Sequence, residues 1–365
     1  MQIVNLNLVN FRNYSSLDIS FNDNINIFYG NNGEGKTNLV EAIYLLSLTK
    51  SFRINNDKYL IKKGEASAKV VGEIQYKNDT SKYIVVLQSD GKLLEIDNNK
   101  VDRISEYVSR IPIVLFHPKD TEIVYASPEV RRKMINIEIS QIYREYMLVL
   151  LKYNKVLKQR NAYLKQLYTS GISSKEYLDV LTKKVIEYGK SIYNYRAKFI
   201  EDVNNYIGDI YKDIFKDGEI EVRYKSDFKE DEKKILDFYR KNYSREMAFG
   251  KTLYGVHHDD IEFILDGNKL KEFGSQGQMK NAIISFKLAE INLVKEVKDD
   301  YPILILDDLF SELDNNKIKN IYKLLNNNVQ TFITTTDIRK IPKSVRTNSS
   351  IFKIVNKQVE VIDSE

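Results

Sequence analysis

The run Gly30-Asn31-Asn32-Gly33-Glu34-Gly35-Lys36-Thr37 fits the spacing G-x-x-x-x-G-K-[ST] and constrains the fold more than any other stretch. Ile25 to Tyr29 alternates like a strand leading into the run, and Asn38 to Leu46 follows as an apolar helical pattern. A strand, a glycine-rich turn and a helix N-terminus make an anion cradle, because unpaired backbone N–H groups and the positive end of the helix dipole face one point. Glycine is needed where the backbone must approach an oxygen closely. Gly30, Asn31, Asn32, Gly33, Glu34 and Gly35 therefore form a candidate phosphate loop. Lys36 supplies a mobile charge for β- and γ-phosphates, and Thr37 a hydroxyl for Mg²⁺. A chance glycine-rich loop is the competing reading. With only 15 glycines in 365 residues, three within six positions argue against it.

A chain this long can bury a large core in more than one domain. It has no cysteine, so disulfides and thiolate metal sites are excluded. No apolar run approaches the length of a membrane span, and the first residues alternate, so a soluble cytoplasmic protein without a membrane partner is expected. Segments 3–11, 17–21, 68–76 and 83–87 carry strand-type alternation. After Pro128 the period becomes helical through about Tyr168. Past Thr169-Ser170-Gly171 a second helix begins with Ser173 and Glu176 spaced as a capping box. Two long helices joined by a short turn should pack antiparallel. The first carries Arg131, Arg132, Lys133, Arg144, Lys152, Lys155, Lys158, Arg160 and Lys165, either a solvated surface or a face that tracks DNA. Strand signals return at 219–224 and 261–265, and the last hundred residues alternate helix and strand as in a parallel sheet packed between helices.

Ile303-Leu304-Ile305-Leu306-Asp307-Asp308 looks like a buried parallel strand ending in acids. Asp307 is placed to hold Mg²⁺ beside the phosphates, and Asp308 to orient or deprotonate the attacking water. Gly274-Ser275-Gln276-Gly277-Gln278 precedes a helix over Met279 to Val297 and makes a second phosphate-facing turn. One γ-phosphate does not need two cradles from one subunit, so this turn is assigned to the nucleotide of a second copy. An ordinary helix N-terminus is the plainer alternative.

Together these motifs resemble the ATP-binding-cassette ATPases: Walker A at 30–37, Walker B at 303–308, the signature at Ser275, Gln276, Gly277 and Gln278, and a D-loop at Ser311-Glu312-Leu313-Asp314. The closer resemblance is to the RecF family of bacterial replication and repair proteins. It is carried by residues 10–14, 50–53, 127–132, 255–260, 274–278 and 307–314, in that family's order. The resemblance implies an α/β fold, an ABC-type P-loop ATPase head of mixed sheets with flanking helices. The head is expected over 1–125 and 240–365, with an inserted antiparallel helical arm over 126–239. It also implies ATP and Mg²⁺ as cofactors and an ATP-dependent homodimer on single-stranded, gapped or double-stranded DNA. Help in loading RecA with RecO and RecR, and support of the SOS response, come with it.

Some residues depart from the pattern. Met279 and Lys280 stand where Gln and Arg are usual, and Val256, His257 and His258 where Pro, His and Arg are. Thr336 occupies the place of a transporter's switch histidine, from which slow hydrolysis is expected. A transporter's nucleotide-binding subunit is the second reading. The basic arm, that missing histidine and Asp308 in place of Glu argue against it. A chromosome-condensing ATPase would need a longer tether than an arm of roughly 90 residues supplies at 1.5 Å per helical residue. A P-loop kinase would leave the motifs at Ser275 and Ser311 unexplained. His257 and His258 with Asp259 and Asp260 suggest a metal site, but a surface turn or a family-specific loop is preferred.

Overall fold

The structure, a computed structural model, describes residues 1–170, 175–216, 218–325 and 328–362. Its contacts divide the chain into two compact units. One comprises Met1–Thr121, Asp209–Asp217 and Lys280–Glu365, the other Glu122–Gly208 and Gly218–Met279.

The first unit is built on a sheet in the order Gln358–Ile362, Ser349–Val355, Ile25–Tyr29, Thr331–Thr335, Ile303–Asp307, Ile113–Phe116. All neighbours are parallel except the final hairpin at the carboxyl end of the chain. The strands Thr331–Thr335, Ile303–Asp307 and Ile113–Phe116 are buried at every residue, as expected for a parallel sheet covered on both faces. The helix Lys36–Leu48 packs on this sheet, and Leu39, Val40, Ala42, Ile43, Leu45 and Leu46 are all buried. Register pairs Thr335 with Tyr29, Asp307 with Thr334, and Leu306 with Phe116. The carboxyl ends of the P-loop strand and the acid-ending strand therefore lie level at one sheet edge, where α/β folds bind ligands. A second, antiparallel sheet runs Tyr14–Ser20, Gln2–Phe11, Ser67–Tyr76, Asp79–Gln88, Gly91–Ile96, Asn99–Lys100.

The second unit holds the helices Pro128–Ile142, Arg144–Ser170 and Glu232–Phe249, most of Lys175–Phe215, and a three-stranded sheet. Tyr146 meets Arg196, Arg160 meets Thr182 and Tyr163 meets Tyr177, so the two long helices run in opposite directions. The helical stretch after Pro128 is broken once, at Tyr143, whose extended backbone (φ −119°, ψ 107°) ends the first helix. Ser173, read as a cap of the next helix, lies outside the described residues.

The second unit runs to Met279, beyond the arm boundary expected at 239. Strand Asp260–Leu265 pairs with Ile220–Lys225, and the Arg131 guanidinium forks Asp260 at 2.7 and 2.8 Å, which draws this stretch in. The Gly255–Asp260 turn is also stitched in. Arg196 donates to Val256 O and Asp259 Oδ2, both at 2.6 Å, and Tyr224 O–H donates to the same carboxylate. Both carboxylates read as possible metal ligands are thus held by arginines. His257 Nδ1 sits 2.7 Å from Tyr153 Oη, and burial pushes the imidazole down to about 4, so it is neutral near pH 7.

Arg160 is fully buried. It donates to Glu246 Oε2 (2.5 Å), Thr252 Oγ1 (2.7 Å) and Thr182 Oγ1 (3.0 Å), and lies over the Tyr239 ring. Arg131 is buried too, so neither belongs to the exposed basic face read from the sequence. Losing one partner of a dry ion pair leaves the other charge uncompensated. Arg160→Leu should destabilise the chain by about 3–5 kcal/mol in urea unfolding, and adding Glu246→Leu should recover part of that loss. A change below about 1 kcal/mol would show that the pair is not the cross-link described.

Candidate functional site

The P-loop strand ends at Tyr29, and the chain turns through Gly30, Asn31, Asn32 and Gly33 before the helix begins at Lys36. A Cβ on Gly30 would stand 2.3 Å from Ile354 O, so no larger residue fits there. Gly35 caps the helix in the left-handed region (φ 117°), where a Cβ would meet the side chains of Asn13 and Tyr14 within 2.8 Å. Gly33 is left-handed (φ 85°) and exposed, with nothing within 4 Å of where a Cβ would project. Asn31 and Asn32 are exposed and Glu34 is half-buried. Amide N–H groups of the first turn have no partner inside the helix, which leaves them for an anion.

Lys36 is buried and bends back into the loop, where Nζ donates to Gly30 O (2.7 Å) and Asn31 O (2.8 Å). Burial pulls its pKa below the ordinary lysine value, against the opposing pull of Asp308, Asp307 and Glu34. Thr37 Oγ1 donates to Asp307 Oδ1 at 3.1 Å across 270 positions of sequence. Thr334 Oγ1 donates to the same oxygen at 2.7 Å and itself accepts the Asp308 N–H at 2.9 Å. Asp308 is left-handed (φ 50°), a turn that bends the chain away from the strand directly after Asp307. A hydroxyl and a carboxylate oxygen side by side make a hard, all-oxygen donor pair, which suits Mg²⁺.

His117 was missed by sequence reasoning. It follows strand Ile113–Phe116, the neighbour of Ile303–Asp307, and its Nε2 lies 3.8 Å from Asp307 Oδ2. The available signal was a short apolar run ending at the same sheet edge, but nothing in the sequence pairs that run with the acids 190 positions later.

The remaining predicted residues lie elsewhere on the chain. Ser275 and Gln278 make a reciprocal capping box, with Gln278 N–H donating to Ser275 Oγ (3.2 Å) and Ser275 N–H to Gln278 Oε1 (2.9 Å). Ser275, Gln276 and Gly277 are exposed, and the helix they open runs over Gln276–Lys298. Asp314 caps the helix Asn315–Leu325, accepting the N–H groups of Asn316 (3.1 Å) and Lys317 (3.0 Å). The Ser311 side chain lies outside the described residues. Of the basic arm residues, Lys133, Arg144, Lys152, Lys155, Lys158 and Lys165 are exposed.

Residues 2–360 match the family model for the RecF/RecN/SMC N-terminal domain. The chain is 36% identical over 366 residues to the DNA replication and repair protein RecF of Latilactobacillus sakei, covering 98% of both chains. It is 36% identical over 363 residues to the protein of the same name in Staphylococcus aureus (strain Newman). The chain belongs to the RecF family. A solved structure of the recombination mediator protein RecF-ATP in the RecFOR pathway superposes with a TM-score of 0.90. It is 29% identical, and the match covers 99% of this chain and 97% of that one. An SmcHead solved bound to the C-winged helix domain of ScpA, 16% identical with a TM-score of 0.57, shares the fold alone. The expected α/β head class is that of these relatives, and their replication and repair function sets aside the transporter-subunit reading. Among the described residues no helix is long and apolar enough to cross a membrane.

Proposed function

We propose that this member of the family binds ATP with Mg²⁺, pairs with a second copy on DNA in the ATP state, and hydrolyses the nucleotide slowly to release that pair. One observation carries the reading: Thr37 and Asp307, 270 positions apart, meet at 3.1 Å beside a loop whose lysine is already drawn inward. The P-loop amides would bind the phosphates, with Lys36 exchanging its carbonyl partners for β- and γ-oxygens. Mg²⁺ between Thr37 Oγ1 and Asp307 would supply charge neutralisation at those oxygens. Asp308 would orient or deprotonate the attacking water, and Thr336 in place of an imidazole favours slow turnover.

The exposed Ser275-Gln276-Gly277-Gln278 turn would grip the γ-phosphate held by the partner copy, with the Ser311 and Asp314 segment beside it. Loss of that phosphate removes contacts shared by two subunits, so the dimer opens. The exposed lysines and arginines of the second unit would track DNA phosphates. A cytoplasmic setting, gapped or junction DNA, RecO- and RecR-type mediators, RecA loading and the SOS response complete the reading. The relatives described as recombination mediator proteins in the RecFOR pathway support the mediator role among these.

In sedimentation with ATP, the wild-type chain should dimerise. Lys36→Ala should neither bind nucleotide nor dimerise, and Ser275→Arg should bind ATP yet remain monomeric. An ATP-dependent Ser275→Arg dimer would refute the composite site. DNA affinity should fall with salt at a log–log slope of about −0.9 per contacted duplex phosphate, with little base preference, when measured by anisotropy. A flat response would remove the arm from DNA binding.

A further inference from the structure

Outside the two nucleotide motifs, the short segment Ser51-Phe52-Arg53 bridges the helix that follows the P-loop and His117. On one side it is pinned to the P-loop helix. Ser51 Oγ donates to Glu41 Oε1 (2.5 Å), and Arg53 NH1 donates to Asn38 Oδ1 (3.0 Å) and lies 3.6 Å from Glu41. Glu41 is fully buried and also forked by Arg12 at 2.7 and 2.8 Å, so this anchor is rigid. On the other side the Phe52 ring packs edge-on against Tyr44 (5.3 Å between centroids) and against His117 (5.2 Å).

His117 Nδ1 accepts the Lys119 N–H at 3.2 Å, which in the neutral ring places the proton on Nε2. That nitrogen lies 3.8 Å from Asp307 Oδ2. The two threonine hydroxyls hold the other oxygen, Oδ1, at 2.7 and 3.1 Å. A carboxylate held on one oxygen can still swing the second, and the imidazole packed against Phe52 is the neighbour of that second oxygen.

We propose that Phe52 and His117 are positioning residues for the Asp307 carboxylate, with Ser51 and Arg53 locking the segment to the P-loop helix. This rests on the ATP reading above and deepens it. Metal-assisted nucleotide binding then depends on a packing chain outside both motifs. Groups that orient a metal-binding side chain tune the metal affinity without touching the metal.

The test uses the full-length chain as wild type, Phe52→Ala and His117→Ala. Phe52→Tyr keeps the ring, and His117→Gln keeps an N–H donor at similar reach. Binding of a fluorescent ATP analogue is followed across a Mg²⁺ titration and again in EDTA. Both alanine variants should need about tenfold more Mg²⁺ for half-maximal tight binding, while affinity in EDTA stays unchanged. Phe52→Tyr and His117→Gln should stay within about threefold of wild type. An unchanged Mg²⁺ midpoint in the alanine variants overturns the proposal, as does an equal loss with and without Mg²⁺, which would mean general packing damage. A wild-type chain that binds no nucleotide in either condition overturns the ATP reading and this inference together.

Discussion

The parallel register of four buried strands brings residues from distant parts of the chain to one edge. Ile25–Tyr29, Thr331–Thr335, Ile303–Asp307 and Ile113–Phe116 end level, so Thr37, Thr334, Asp307 and His117 converge although they come from four separate stretches of the chain. A slip of one residue in the acid-ending strand would turn Asp307 to the opposite face. The apolar runs that bury both faces of the sheet therefore also set the geometry of the site. Core packing and the geometry of the candidate site are not separable here.

Several features were legible because they are local. The P-loop, its strand and its helix follow from glycine spacing and a change of period, as does the strand ending at Asp307. The helix opened by the turn at 274–278 was legible in the same way, whereas the capping box of Ser275 and Gln278 is seen only in the structure. What the sequence hid depends on tertiary contact. Arg160 and Arg131 sit among surface lysines in the basic pattern, yet both are buried because Glu246 and Asp260 reach them from other elements. The contact units divide the chain elsewhere than the expected arm boundary for the same reason: pairing of Asp260–Leu265 with Ile220–Lys225 is a long-range event. The break at Tyr143 leaves no proline or glycine to announce it.

The histidine-rich turn shows how a chemical reading can yield to a structural one. Two histidines followed by two aspartates resemble a ligand set on paper. In the fold, Asp259 and Asp260 each face a buried arginine, and burial keeps the His257 imidazole neutral. A charged cluster satisfied in this way stitches helices and strand together, at the desolvation cost that such pairs carry. Val256, His257 and His258 thus belong to a structural turn.

The proposed gating requires one nucleotide to be held by two copies of the chain. Mixing Lys36→Ala with Ser275→Arg tests this directly, because a mixed pair contains one site with Lys36 and Ser275 both intact. If the site is shared, the mixture should regain ATP-dependent dimers and part of the hydrolysis that each variant lacks alone. If each copy works by itself, the mixture will remain as inactive as its two components, and the shared site is wrong.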